Sequence, residues 1–345
     1  MAMLLRDVYE MAVRCFRGIG SPSPEADAET LLEYYFDCDR TYVLMHFSDP
    51  FDEARCDGFF RLMDLRAAGT PVQHITGRQE FMGLSFKTSP EALIPRQDTE
   101  TLVERVLCHL DEKKPPFGGF EVLDLCTGSG CIAVSIAKLC EKKVRVTATD
   151  LSEDALRLAK ENAAANGADV RFLPGDLFGP FPLKRNGRPG KRFNVIVSNP
   201  PYIATRVIET LRPEVKDHEP RMALDGGTDG LDFYIRIFRE APFRLAPGGL
   251  LALEIGADQG HAVRALSDAS GAFEPVPASD KAAKRYGAGA AAAGAAAAGA
   301  AGGSAARTPA SAGEAVPAEP PAPDPYIFRD LAGFDRVYLG IRKTD

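Results

Sequence analysis

The 345-residue sequence contains no Cys-x-x-Cys pair, although it holds 7 cysteines. Cys15, Cys38, Cys56, Cys108, Cys126, Cys131 and Cys140 are scattered through its first half, away from any cluster of the 5 histidines. Such a spread excludes a disulfide frame and a zinc ribbon; reduced thiols and no metal site are expected. No apolar run approaches the roughly 20 residues that span a bilayer. The opening MAMLLRDVYE meets acids before any signal-peptide core could form, so a soluble, cytoplasmic protein without a membrane partner is expected. A basic excess is missing too. The formal net charge of -7 argues against a protein that rides the phosphate backbone of long nucleic acid, and leaves room only for a local basic groove. What is present is globular composition, 45% hydrophobic and 26% charged, in a chain long enough for two domains.

The first part reads as helices. Leu4, Leu5, Val8, Ala12, Cys15 and Phe16 recur at helical spacing until Gly18 and Gly20 stop the run. Ser23 before Pro24 signals a capped second helix through Leu31, Leu32 and Tyr35. A further helix through Phe59, Leu62, Met63 and Leu65 ends at Gly69. Nothing here has catalytic composition, so residues 1–76 are expected to be a small helical domain that holds a partner or substrate. Phe81, Gly83, Leu84 and Phe86 suggest a hairpin that Leu93, Ile94, Pro95 and Arg96 continue, which makes 77–100 a hairpin linker and hinge.

From about Phe120 strands alternate with helices. Candidate strands are 121–125, 145–150, 170–174, 193–198 and 250–255, with a helix over 153–165 ended by Asn166-Gly167. This alternation predicts a parallel, doubly wound α/β sheet with its ligand at the carboxyl ends of the strands. Residues 287–323 are almost wholly alanine, glycine, proline and serine, with too little apolar bulk to pack. Because DRVYLGI after them is a good strand, they are expected to be a disordered insertion within a domain spanning 101–345.

Two motifs carry chemistry. In LDLCTGSGCIA (123–133) a strand runs into Gly128-Ser129-Gly130 and then a helix, so the backbone can approach a ligand closely. Asp150 closes the next strand, where a carboxylate accepts ribose hydroxyls, and Asp124 and Asp176 are further acids near that rim. This turn alone fits either a dinucleotide or S-adenosylmethionine. The second motif, VIVSNPPYI (195–203), separates them: an apolar strand ends in Asn199-Pro200-Pro201-Tyr202. The prolines fix the backbone and remove competing N–H donors. The Asn199 side-chain oxygen and the Pro200 carbonyl are then placed to accept the two hydrogens of a planar nitrogen, with the Tyr202 ring on its flat face. None of the histidines stands near this strand as a hydride-transfer enzyme needs. A non-catalytic nucleotide-binding scaffold is opposed by the two intact motifs side by side.

TGSG with a following acidic strand end, together with NPPY, resembles the class I S-adenosylmethionine-dependent methyltransferases that act on amide or exocyclic amino nitrogens. The ordered set PVQHITGRQEFMGLSF, LIPRQDTE, NPPYI, EPRMALDGGTDGLDFY, LEIG and RDLAGFDRVYLG resembles more closely the HemK/PrmC family, the peptide chain release factor N(5)-glutamine methyltransferases. The likeness covers nearly the whole chain outside 287–323. It implies a Rossmann-like, seven-stranded, mostly parallel sheet behind a small helical N-terminal domain. It also implies methyl transfer from S-adenosyl-L-methionine, giving S-adenosyl-L-homocysteine, to the glutamine of the GGQ motif in bacterial class 1 release factors. By position, Cys126, Thr127, Gly128, Ser129 and Gly130 hold the cofactor, Asp150 its ribose, and Asp176 with Leu177 its adenine side. Asn199, Pro200, Pro201 and Tyr202 hold the glutamine, and Asn199 also faces the cofactor. Three positions depart from the family pattern: Cys126 replaces a glycine, Leu177 a bulky aromatic and Gln97 a proline.

Two rivals share NPPY. A ribosomal-protein glutamine methyltransferase typically reads PRSPI where this chain has PRQDTE. A DNA adenine methyltransferase calls for a target-recognition domain and basic stripes, and the sequence offers neither.

Overall fold

The computed structural model describes residues 3–51, 53–182, 190–276, 324–330 and 332–344. The proposed insertion at 287–323 lies outside the described residues. The chain divides into two compact units, with the boundary after Thr76.

The first unit is helical: α1 (Leu5–Gly18), α2 (Pro24–Phe36), α3 (Arg40–Met45), α4 (Glu53–Ala67) and α5 (Val72–Thr76). The helical spacing read in α1 is its buried face, and Val8, Ala12 and Phe16 pack with Leu31, Leu32, Val43, Phe59, Met63 and Val72 in one core. Each fully buried large side chain stabilises the unit by about 2 kcal/mol relative to exposure. Pro24 opens α2 as expected, but Ser23 makes no side-chain capping bond. An Arg66–Asp27 ion pair at 2.8 Å, shielded from water, joins α4 to α2 instead. α3 and α5, one or two turns long, are too short to show a helical pattern in the sequence.

The second unit begins with a hairpin, β1 (Arg78–Phe81) and β2 (Leu84–Lys87), paired antiparallel. It is not a free hinge. Asn162 accepts from the Lys87 amide at 2.7 Å and donates to the Lys87 and Ser129 carbonyls at 3.2 and 2.9 Å. Residues 93–96 do not continue the hairpin; they run as irregular backbone, since Pro90 and Pro95 withhold ladder donors. Gln97 already starts α6 (Gln97–Glu112), so a linker boundary at 100 cuts through a helix.

The sheet elements follow in order: β3 (Phe120–Leu125), α7 (Cys131–Leu139), β4 (Val144–Asp150), α8 (Glu153–Ala165), β5 (Val170–Pro174) and β6 (Phe193–Ser198). Then come three single turns, α9 (Thr205–Ile208), α10 (Pro213–Lys216) and α11 (Arg221–Leu224), before α12 (Asp232–Arg244) and β7 (Leu245–Glu254). The last elements are α13 (Gly260–Ser270), β8 (Phe273–Pro275), β9 (Ile327–Arg329) and β10 (Asp335–Arg342). The strand order is β5-β4-β3-β6-β7-β10-β8, with β9 added on β10. Five neighbouring strands are parallel, from β5 to β7, and β10 runs antiparallel to β7, β8 and β9. The path therefore has the seven strands expected, and Ile327–Arg329 adds an eighth that its three residues are too few to announce.

The chain winds outward from β3 through β4 to β5, then returns to the other side of β3 for β6. That reversal opens a crevice beyond the carboxyl ends of β3 and β6, where α/β sheets bind ligands. The register keeps the ends level: Leu125 pairs with both Thr149 and Ser198, and Ser198 pairs with Leu253. Cys126, Asp150, Asn199 and Glu254, each one step further along, therefore share one rim.

Candidate active site

The glycine turn is built on strained backbone. Cys126 leaves β3 at φ +55° and Gly128 and Gly130 follow at +54° and +82°. A Cβ on Gly130 would sit 3.0 Å from that of Ala159, so this glycine lets α7 and α8 approach. A Cβ on Gly128 would meet nothing within 4 Å, so there the backbone faces open space. Beneath the turn, Asp124 is fully buried and accepts from the Thr127 hydroxyl. Burial pushes its carboxyl up to about 7. Asp124 thus supports the turn from below, near the rim but outside the cavity lining.

Asp150, at the end of β4, accepts from the amides of Gly128 at 2.8 Å and Ser152 at 2.9 Å. Burial raises its pKa, and these amides oppose the rise. The two bonds fix the carboxylate while leaving lone pairs on both oxygens. Past β5, Asp176 pairs with Arg236 of α12 at 2.6 Å, and Leu177 sits buried at φ +46°.

Past β6, the NPPY segment is pinned from several sides. Asn199 donates through Nδ2 to the Thr99 hydroxyl oxygen on α6 at 3.3 Å. The Tyr202 hydroxyl donates to Glu254 Oε1 at 3.2 Å, and Gln259 donates to the Tyr202 carbonyl at 2.9 Å. Glu254 ends β7 only 1% exposed, and burial lifts its carboxyl to about 7 against the pull of Thr99, Arg336 and Tyr202.

One cavity of about 300 Å³ joins these parts. It is lined by Cys126, Thr127, Gly128, Ser129, Asp150, Asp176, Leu177, Asn199 and Pro201, nine of the residues the sequence singled out. Gly130, Pro200 and Tyr202 do not line it. Gly130 is taken up with Ala159, Pro200 is buried, and the Tyr202 ring packs against the core cluster around β6 and β7. The flat-face role expected of Tyr202 thus meets a ring held by its hydroxyl behind Asn199. Phe233 and Arg236 of α12 line the cavity and were missed, as were Ile94, Pro95, Arg96 and Thr99 on one side and Pro220 and Met222 on another. Arg96 pairs with the buried Glu219 at 2.6 Å, clamping those two segments together. The strings LIPRQDTE and EPRMALDGG held that signal, but nothing in either alone says that the two meet. Among the described residues, no three His, Cys, Asp or Glu side chains gather as a metal requires.

Residues 7–77 match the PrmC N-terminal domain, and residues 99–212 match the methyltransferase small domain. A release factor glutamine methyltransferase from Moorella thermoacetica is 44% identical over 79% of this chain and 92% of its own length. One from Geobacter sulfurreducens is 40% identical over 76% of this chain and 87% of its own. The chain belongs to the release factor glutamine methyltransferase family. A solved methyltransferase from Pyrococcus furiosus overlays with a TM-score of 0.39 at 22% identity, covering 57% of this chain and 84% of that one.

Two residues of the cavity wall, Cys126 and Leu177, stand on left-handed backbone. Cys126 holds left-handed backbone of the kind glycine adopts without strain, at a cost of about 1 kcal/mol. Burial pushes the Cys126 thiol far up, so it stays protonated. Leu177 also takes up left-handed backbone, and it fills its place with buried aliphatic bulk. Among the described residues no helix is long and apolar enough to cross a membrane.

Proposed function

We propose that this chain transfers a methyl group from S-adenosyl-L-methionine to the side-chain amide nitrogen of the glutamine in the GGQ motif of bacterial class 1 peptide chain release factors. The observation that carries the reading is the Asn199 amide: its Nδ2 is committed to Thr99, which leaves Oδ1 to accept from an incoming nitrogen. The open space over Gly128 fits close approach of a nucleoside cofactor, and the fixed Asp150 carboxylate fits its ribose hydroxyls. Cys126, Thr127, Ser129 and Gly130 complete the cofactor turn, and Asp176 with Leu177 serves the adenine side. When bound, S-adenosylmethionine supplies the electrophilic methyl.

The residues of the chain do the rest. An amide nitrogen is a poor nucleophile because its lone pair is delocalised into the carbonyl. Asn199 Oδ1 and the Pro200 carbonyl accept its two N–H bonds and aim the nitrogen, while Pro201 and Tyr202 hold the segment that bears them. Positive charge developing on the nitrogen strengthens these same bonds, so they act mainly in the transition state. The extra proton leaves after transfer from a much more acidic product, and no general base is required beforehand. Release factors work in the cytoplasm, and the reading puts the enzyme there with no nucleic-acid partner of its own.

Intact mass spectrometry of co-expressed release factor tests this. One added methyl, mapped by fragmentation to the GGQ glutamine, is expected. A methyl on a ribosomal protein or on adenine, with the release factor untouched, would replace this reading with one of the two rivals.

A further inference from the structure

Asn199 is useful to an amide acceptor only in one of its two orientations, because Oδ1 accepts and Nδ2 donates. Nothing in Asn199 itself chooses between them; its surroundings must. Its partner Thr99, 2% exposed in the first turn of α6, has a hydroxyl that can both give and take a hydrogen bond. What decides is where the Thr99 proton goes.

Behind Thr99 lies Glu254. Its Oε1 accepts from Tyr202 at 3.2 Å, whereas its buried Oε2 has no hydrogen-bond partner among the described residues. The Thr99 hydroxyl is the neighbour that most favours the Glu254 anion, ahead of Arg336. Arg336 is itself occupied by Asp98 at 3.1 Å and Asp330 at 3.0 Å. Handing its proton to that unpartnered oxygen leaves Thr99 only lone pairs toward Asn199, and only Nδ2–H can answer them.

We propose that Thr99 and Glu254 are positioning residues that hold Asn199 with Oδ1 toward the cavity. The relay runs from the end of β7 through the start of α6 to the end of β6, and so ties the LEIG, PRQDTE and NPPY strings into one device. It rests on the reading that Asn199 receives an amide, but the anchoring of Asn199 is measurable without any substrate.

Three variants test it: Thr99→Val removes the hydroxyl at nearly constant volume, Thr99→Ser keeps it, and Glu254→Gln gives Thr99 a possible donor instead of an acceptor. With release factor as substrate, Thr99→Val is expected to lower kcat about 100-fold, while KM and cofactor affinity stay within about 3-fold. Thr99→Ser should restore kcat to within about 3-fold of the parent, and Glu254→Gln should fall between. By nuclear magnetic resonance, the Asn199 side-chain NH2 pair, assigned by its loss in Asn199→Ala, should exchange slowly with solvent in the parent. That exchange should quicken at least about 10-fold in Thr99→Val. Equal losses in the valine and serine variants, or unchanged exchange in Thr99→Val, overturn the proposal. Should Thr99→Val fail to fold, Thr99→Ala carries the same comparison. If the parent leaves release factor unmethylated yet shows Thr99-dependent protection of Asn199, the substrate reading fails and the positioning stands.

Discussion

Asn199, on the cavity wall, gives its Nδ2–H to Thr99 at 3.3 Å, which leaves Oδ1 as its acceptor. Apart from Asn199 itself, the groups assigned to the cofactor lie on other strand ends, at the turn after β3, at Asp150 and at Asp176. Asn199→Ala should therefore lower methyl transfer by about 100-fold or more while cofactor affinity changes only a few-fold. Calorimetry with S-adenosylmethionine and single-turnover assays on one preparation check the division. A collapse of affinity matching that of turnover contradicts it, and a parental rate removes Asn199 from the mechanism.

The two glycines of the turn should fail in different ways. Gly128→Ala places a methyl in open space at the cavity wall, so the cost to the fold is the left-handed backbone alone, about 1 kcal/mol. Its main effect should be loss of cofactor binding. Gly130→Ala adds the same backbone cost and drives a methyl against Ala159, whose Cβ and Cα would lie 3.0 and 3.2 Å away. It should lose about 2 kcal/mol or more of stability. Urea melts and cofactor titrations of the pair distinguish ligand approach from helix packing. Equal stability losses would refute the distinction.

Acidity should move stability and activity in opposite directions. Burial raises Asp124 from 3.8 and Glu254 from 4.5 to about 7 each. The folded chain therefore binds these protons more tightly than the unfolded chain does. Their contribution to stability is complete below the unfolded values and is lost as pH rises through about 7. On the order of 5 kcal/mol, shared between the two groups, is at stake between pH 5 and 8. Asp124→Asn and Glu254→Gln should each flatten that slope in urea melts. Turnover needs Glu254 as an acceptor, so kcat should fall up to about tenfold per pH unit below the Glu254 value. Tyr202 and Tyr234 beside it are pushed up and stay protonated, and Arg336 stays charged, so Glu254 is the facing group that titrates there. An acid limb that survives unchanged in Glu254→Gln belongs to some other group.

How much of this was legible in the sequence depended on the range of each signal. Val170–Pro174 and Phe193–Ser198 could be bounded from their own residues, because apolar strands between turn residues are local patterns. Asp150 and Asn199 could be placed because a strand end next to the glycine turn is a local feature repeated along a parallel sheet. Arg96, Phe233 and Arg236 could not, since what brings them to the cavity is tertiary: the ion pair of Arg96 with distant Glu219 and the face that α12 turns inward. Ile327–Arg329 is too short to register as a strand before β10 is there to pair with it. Tyr202 shows the opposite failing. Its motif suggested an aromatic plate over the amide, and only Glu254, at the end of a different strand, reveals that the hydroxyl is the part held.

The last prediction concerns how a glutamine on a large protein is chosen over glutamine in general. An amide clamp of two acceptors recognises only the end of the side chain, so the remaining binding energy must come from the body of the partner. The helical unit has its own core of Phe16, Leu31, Phe59 and their neighbours. It is the element to assign to that grip. The sheet unit has a separate core around Phe193, Tyr234 and Tyr338, so it should fold without residues 1–76. The truncated chain should then lose about 100-fold or more in kcat/KM toward intact release factor, mostly through KM. Toward a short GGQ peptide it should stay within about 3-fold of the full chain, because the clamp and the cofactor site are unchanged. Steady-state assays of both chains on both substrates give the four numbers needed. Equal losses on protein and peptide would mean that the helices support the catalytic unit itself, and an undiminished rate on the protein would leave them without a part in recognition.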